Sequence, residues 1–523
     1  MEGNKASHVV AVFVIQFDVH KGNMIEWQYP TDINLEGIEY QAICSGLHRI
    51  ESDTIYFTRD NYTGISVFQN KSMNVERGAY MKAIGVLVQK DAWKHKEFLR
   101  MELSHHMTDT PVENYDGLLN YYTQYATPDT PILSPKKTLL STFDIWQGVN
   151  HQLEQRPKVM DLLDQHCVFG TDCFSEFVGL FGPNIFVLWK AALLQKRILF
   201  MDTPPMERAC KFAYDTLLLG QVPVQLKPRT ETVLKYTVGV NDIPDIEGLS
   251  SYIGCTPDSI FEIKKELYDV LIRFQPNSAK PIIHSVQPKY TPADFIRFQY
   301  LYKLLGDVIP WQDYIANEPK DVSSQASKLM TGFYYWLYNN GNNEKEEQQE
   351  EQRRNKPPFS WQKLFAGSSR SRRSNLFASS SYSEESQALL IEEADEQDAT
   401  EINNNQVFEA VAARASTEAA MNSTDVPERN KALIRFFHSL SFYVLSTLQA
   451  LISLYEVAEE EEVVILKPKD MVLLGLDPHK DVDFVTELAR LYFEKHVIIA
   501  GMYDTKACVA CCTPKKKSGH IQL

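Results

Sequence analysis

Apolar residues fill both alternations of "HVVAVFVIQFD", His8 to Asp18, whereas in "MIEWQY" Ile25, Trp27 and Tyr29 alternate with Met24, Glu26 and Gln28. A strand covered on both faces shows the first pattern and a half-buried strand the second. Gly22-Asn23 supplies residues that tolerate a positive φ, so the stretch predicts a hairpin with Phe13 to Phe17 in the core. Beyond it, "NLEGIEYQAICSGL" reads as a short helix, "DTIYFTRD", "TGISVFQN" and "AYMKAIGVLVQ" as three strands, and "AWKHKEFLRMELSHHM" as a longer helix. Two strands, helix, three strands, helix is an α+β order in which a helix covers one face of a sheet, here over residues 8–125.

A proline-rich linker, 126–142, separates this unit from a second, 143–338. In the second, "CFSEFVGLFGPNIFVLWKAALLQ" is apolar at helical spacing with a break at Gly182-Pro183. "KRILFMD" reads as a buried strand and "MERACKFAYDTLLLG" as a helix ending at Gly220. Strands in "VLKYTVGV", "SYIGC" and "LYDVLIRF" interleave with helical turns, an α/β pattern. Thr291, Pro292 and Asp294 mark a helix start, as N-cap, first helical residue and first-turn acid. Residues 339–430 are rich in Asn, Glu, Gln, Ser and Ala and too poor in apolar residues to offset ordering entropy, so they predict a disordered insertion. Helices and a final short strand are expected over 431–505, followed by a flexible Cys/Lys tail, 506–523.

Phe436 to Tyr455 has nearly the length of a membrane span and no formal charge. However, His438, Ser439, Ser446, Gln449, Ser453 and Glu456 fall on one stripe at 100° per residue, which describes an amphipathic helix packed on a core. No transmembrane segment is therefore expected. Length, 523 residues, suggests several domains, and 44% hydrophobic with 23% charged residues is a soluble globular composition. The formal charge of −15 argues against general nucleic-acid binding, which draws on clustered Lys and Arg. Eight cysteines without a regular framework, and a start without a signal pattern, predict a reducing, cytoplasmic setting.

Conventional chemistry is not signalled: no phosphate-binding glycine loop, HExxH, GxSxG or dinucleotide fingerprint occurs, and no metal or cofactor is expected. Asp164, His166, Cys167 and Cys173 lie close in sequence, but they lack the spacing of a zinc or Cys-His site and read as buried thiols beside a satisfied histidine. Cys508, Cys511 and Cys512 precede three lysines, the two signals that lipidation-dependent membrane attachment needs; the plain alternative is an unmodified tail. Ser371 and Ser374 sit among arginines that a basophilic kinase could read, against the alternative of a basic linker.

Two stretches resemble a DENN domain. "FVGLFGPNIFVLWKAALLQKRILFMDTPP" has a Trp-bearing helix leading through Lys-Arg into a buried strand, and "SYIGCTPDSIFEIKKELYDVLIRF" carries Gly254, Thr256, Ile260, Phe261, Tyr268 and Asp269 of the later DENN signature. "FDVHKGNMIEWQYPTDINLEGIEY", "RIESDTIYF" and "LGLDPHKDVDFVTELARLY" are similar to the LCHN branch of that family. The resemblance implies a bilobed architecture, a longin-like lobe followed by an α/β DENN lobe with a helical end. It also implies guanine-nucleotide exchange on a small Rab-type GTPase in membrane traffic, at endomembranes, with a non-enzymatic scaffold that recruits a GTPase as the alternative. An exchange factor works by preferring the nucleotide-free conformation, so it needs a shaped surface and no reactive side chain. Glu26, Trp27 and Gln28 of the hairpin, with Lys196 and Arg197 ahead of the DENN strand, are the expected GTPase contacts, whereas Trp189, Ile198, Leu199 and Phe261 are expected in the core.

Overall fold

The hairpin forms as β1 (Val9–Asp18) and β2 (Gly22–Tyr29), with Gly22 in the left-handed region at φ 81°. α1 (Ile38–Ala42), β3 (Ser52–Arg59), β4 (Tyr62–Ser72), β5 (Ala79–Val88), α2 (Lys96–His106) and α3 (Asp116–Tyr125) follow. This computed structural model describes residues 8–72, 79–89, 91–108, 114–126, 173–223, 226–228, 230–275, 280–285, 288–305, 426–458 and 463–500. The first five strands pair antiparallel in the spatial order β3-β4-β5-β1-β2.

Val12, Phe13, Val14 and Ile15 are fully buried, as the double alternation requires. Helices cover both faces of the antiparallel strands, not the single face expected. On one side Ser66 Oγ donates to the carbonyl of Ala42 in α1 at 2.7 Å; on the other Tyr122 of α3 meets Tyr29 edge-on at 4.9 Å. Packing is tightest at two glycines. A Cβ at Gly64 or Gly85 would fall 2.2 or 2.3 Å from ring carbons of Phe57 or Phe13, so only glycine lets these rings lie flat on the sheet.

The chain then builds α4 (Phe174–Phe181), α5 (Ile185–Leu193), β6 (Ile198–Met201), α6 (Glu207–Leu219), β7 (Val233–Thr237), α7 (Ile243–Glu247), β8 (Tyr252–Thr256), β9 (Val270–Arg273) and β10 (Ile282–Ser285). β9-β6-β8-β7 is parallel, with β10 antiparallel at its outer edge. These strands are short and enclosed: Ile198, Leu199 and Phe200 of β6 are inaccessible, and so are Trp189 and Phe261. Gly182-Pro183 breaks the apolar helix where the sequence places the break.

Where the sequence suggests two lobes, the strands do not form two separate sheets. β3 meets β7 through a single bridge, Phe57 to Tyr236, which joins antiparallel and parallel strands into one ten-stranded mixed sheet. Tyr236 has φ 55°, a left-handed conformation that bulky residues seldom adopt, and the register of β7 slips beside it. Side chains reinforce this seam. Thr58 Oγ1 donates to Leu234 O at 2.8 Å, and Asp53 of β3 accepts the backbone N–H groups of Met206 (2.7 Å) and Glu207 (3.4 Å), capping α6 from 153 residues away. Glu207 in turn takes Lys96 Nζ of α2 at 2.5 Å.

The later elements are α8 (Pro292–Leu305), α9 (Val426–Ala458), β11 (Val463–Leu466), α10 (Pro468–Leu473), α11 (Val482–Phe493) and β12 (His496–Ile499), with β11 and β12 parallel. Thr291 caps α8 as its sequence predicts, its Oγ1 accepting the N–H of Asp294 at 3.4 Å. Its N–H and Oγ1 both donate to Asp294 Oδ2 at 2.9 Å, and Arg297, fully buried, pairs with Asp294 Oδ1 at 2.9 Å and donates to Gly475 O. By packing, the described residues divide into two compact units: one drawn from Met1–Lys289 and Ser423–His438, which holds the whole ten-stranded sheet, and another drawn from Tyr290–Lys303 and Ser439–Leu523. The polar stripe of α9 holds at Gln449 and Ser453, which are exposed, but not at His438, which is buried with its Nε2 3.0 Å from Leu218 O.

Among the described residues two helical stretches, Phe174–Leu193 and Arg429–Tyr455, are long and apolar enough to cross a membrane, yet 78% and 61% of their 18-residue apolar windows are buried in the protein, as core helices are. The linker from residue 127, the tail over 506–523 and the expected disordered insertion, 339–430, up to residue 425 lie outside the described residues; residues 426–430 of that insertion are helical, the first turn of α9.

Candidate functional site

β1 and β2 fall out of step by one residue: Val14 pairs with Trp27, while Ile15 pairs with Ile25, so Glu26 is the extra residue of a β-bulge. A bulge turns two neighbouring side chains to one face. Glu26 grips Lys82 Nζ (2.7 Å) and accepts the Tyr115 hydroxyl (2.8 Å), and Trp27 stacks on the same Tyr115 at 4.9 Å, whose other neighbour is the His106 ring at 5.2 Å. Gln28 instead donates to the carbonyl of Ile33 at 2.8 Å, on the side of α1. The strict alternation expected from the sequence, with Glu26 and Gln28 on one face, is therefore overturned by the slip in register. Lys82 is 2% exposed, and a buried cation needs its partner, so Glu26 is committed to the fold.

Arg197 is held in the same manner. Its Nη2 and Nε reach the two carboxylate oxygens of Asp269 (2.9 and 3.3 Å), its Nη1 donates to Glu266 O (2.6 Å), and its backbone N–H reaches Asp269 as well. The hydrogen bonds to Asp269 raise the guanidinium above its ordinary value. Burial alone would raise Asp269, but the bonds and charge of Arg197 outweigh it and hold the carboxyl low. Lys196 adjoins it, with its backbone N–H on Ala191 O at 3.0 Å. Six strands separate β6 from β2, a distance on the order of 30 Å at ordinary strand spacing, so the five expected contact residues do not form one patch.

A different surface does connect the two halves of the sheet. An open cavity of about 580 Å³ lies beside β2, lined among others by Asn23, Ile25, Gln28, Asp32, Glu36 and Glu39. Asn23 Nδ2 reaches the carbonyls of Glu39 and Ile43, which seats α1 under the strand. Tyr40, next in α1, is 50% exposed, and Gln41 Nε2 donates to Asp242 Oδ1 at 2.9 Å, in the turn that follows β7. Arg59 Nη2 on Glu36 O at 2.7 Å fixes the cavity loop to the end of β3. The surface thus runs from the edge strand over α1 to the carboxyl ends of β7 and β8, and its charged side chains are mostly acidic. Among the described residues no group of His, Cys, Asp or Glu is arranged to hold a metal ion.

Cys173 donates to Asp215 Oδ2 at 3.1 Å, and burial pushes the thiol up and the carboxyl up to about 7. Asp164, His166 and Cys167, with Ser371, Ser374, Cys508, Cys511 and Cys512, lie outside the described residues. The turns after β7 and β8 carry no hydrophobic period, and nothing in their sequence singles them out as a surface. The Ile260-Phe261 pair is visible only as a motif, and the structure splits it, Phe261 inaccessible and Ile260 40% exposed.

The family of DENN domain-containing protein 11 matches residues 12–283, which is more than half of the chain and nearly coextensive with the ten-stranded sheet. The chain belongs to that family. Its relatives include DENN domain-containing protein 11 of Xenopus laevis, 34% identical over 56% of this chain and 66% of the relative, and that of Danio rerio, 36% identical over 54% and 56%. The uncharacterized protein ANR2 of Saccharomyces cerevisiae is 24% identical over 52% of this chain and 58% of its own length. The matched part of this DENN-family chain therefore spans less than two thirds of each of these relatives.

Proposed function

We propose that this DENN-family chain promotes GDP release from a small Rab-type GTPase in membrane traffic, as a member of the LCHN branch. The observation that carries the reading is the family match itself, residues 12–283, because DENN proteins generally act on Rab GTPases. The surface that links both halves of the sheet supports it. An exchange factor forms no bond; it lowers the nucleotide's affinity by binding the empty GTPase better than the loaded one. For a GTPase holding GDP at picomolar strength, about 16 kcal/mol of nucleotide binding has to be offset. Broad contact suits that task better than one reactive group.

In this reading the antiparallel strands are the longin-like lobe, 8–125, and the parallel strands the central DENN lobe, 143–338. The protein works in the cytoplasm and visits endomembranes peripherally. The GTPase meets the acidic surface around Glu36, Glu39 and Asp242, with Gln28 at its margin, whereas Glu26 and Arg197 act through the fold. Release of a fluorescent GDP analogue from a panel of purified Rab-type GTPases tests this. Accelerated release on one of them, lost when Glu36, Glu39 and Asp242 are reversed to Lys, is expected. Binding without accelerated release on every GTPase would replace exchange by scaffolding.

A further inference from the structure

The turns at the carboxyl ends of β7 and β8 expose an unusual set of side chains. Val240 is 48% exposed, Ile260 40% and Ile263 76%, whereas Val238, Ile246, Phe261 and Leu267 beneath them are buried in one cluster. Topology makes these turns neighbours. β7 and β8 run parallel and end together, with Thr237 opposite Cys255, and a Cβ on Gly239 would stand 3.6 Å from Asp258 Oδ2. Isolated apolar residues on a surface need no explanation, but a group of aliphatic side chains on two adjoining turns does.

The rim is acidic. Asp242, Asp245, Asp258, Glu262 and Glu266 lie on the same two turns and outnumber Lys264 and Lys265; Lys264 pairs with Glu266 at 3.7 Å and Arg273 with Glu262 at 2.5 Å, but Asp245 and Asp258 make no salt bridge among the described residues. Burial raises the Asp242 carboxyl, against the hydrogen bonds from Gly239 N–H and Gln41; the nearby charge of Asp245 raises it and that of Lys235 lowers it. An anionic lipid surface or a nucleic acid would be repelled here.

We infer that the Val240, Ile260 and Ile263 turns form a docking surface for a partner protein segment that offers aliphatic or aromatic side chains flanked by Lys or Arg. The apolar anchors bury the isoleucines, and the cations answer Asp245 and Asp258. This inference does not rest on nucleotide exchange, since it concerns recognition by chemistry alone.

The test uses the full chain and a synthetic amphipathic helix with leucines on one face and lysines on the other, beside a counterpart in which every lysine is glutamate, read by fluorescence anisotropy. The lysine peptide binds and the glutamate peptide does not. Ile260→Asp with Ile263→Asp weakens binding at least about tenfold, as loss of an apolar anchor does, and Asp245→Lys with Asp258→Lys weakens it too. Met101→Asp, at an equally apolar and 50% exposed position on α2, leaves it unchanged. An unchanged thermal transition shows that each variant is folded, which the exposure of these side chains favours. Absent binding, binding insensitive to the isoleucine pair, or self-association that the isoleucine pair abolishes would each overturn the proposal, the last by assigning the patch to a second copy of the chain.

Discussion

The two halves of the ten-stranded sheet reach stability by different routes. β1 to β5 are strands of eight to eleven residues, paired antiparallel along their lengths and sealed by rings lying on glycines. β6 to β9 are strands of four or five residues that depend on the helices around them, α6 above all, and end in turns with apolar side chains outward. Long antiparallel ladders are closed by local turns, whereas each short parallel strand is brought in by a crossover. A recognition surface is thus easier to build at the ends of the parallel strands, where loops gather, than along the antiparallel ladder, where nearly every face is covered.

The comparison breaks most readily at the glycines. Gly85→Ala sets a Cβ 2.3 Å from the Phe13 ring and 2.6 Å from Ile65 O, and should cost about 3 kcal/mol or more, whereas Gly254→Ala in β8, 3.1 Å from Tyr236 O, should cost about 1 kcal/mol. Urea unfolding midpoints measure both, and equal losses would deny that the antiparallel half is the tighter one. Next comes the seam. Asp53→Ala removes the cap of α6 and leaves the Met206 N–H unanswered, at about 2 kcal/mol. Hydrogen exchange should rise first in α6 and β7, with β4 and β5 little changed.

The smallest effect concerns pH. Burial holds Asp215 up to about 7 against an ordinary 3.8, so the folded state keeps this proton longer than the unfolded chain does. The stability it contributes is complete below 3.8 and is lost as pH rises through 7. Asp53, raised to about 6 chiefly by burial, acts in the same direction. Asp215→Asn should therefore flatten the decline in stability between pH 4 and 8 and gain about 1 kcal/mol at pH 8, after the Cys173 hydrogen bond is discounted. Thermal unfolding across that range would show a parallel decline in wild type and variant if Asp215 were not the group.

Much of the first half is legible in the sequence because its strands are long and strongly patterned: β1, β3 and β5 lie where apolar runs and turn residues place them. α3 is not announced, since three tyrosines and polar residues give "DGLLNYYTQY" no clean period. The bulge at Glu26 is a matter of pairing and has no residue signature, so reading β2 as a plain alternation puts Glu26 on the wrong face. Arg197 and its partner Asp269 are 72 residues apart, and each looks solvent-facing until β6 and β9 are aligned. The continuity of the sheet is hidden for the same reason: among the described residues its only backbone link joins Phe57 and Tyr236, and neither side of that link carries an unusual pattern.

That single link has a consequence for how the sheet can vary. Pairing along a ladder transmits register from strand to strand, so that a one-residue slip is felt by every neighbour. A lone bridge transmits almost none. Asp53, Thr58 and Gln41 fix how near the two ladders lie without fixing their phase, and the unusual backbone of Tyr236 absorbs the remaining misfit in one place. Each ladder can lengthen, shorten or slide relative to the other while its own side chains stay on their proper faces.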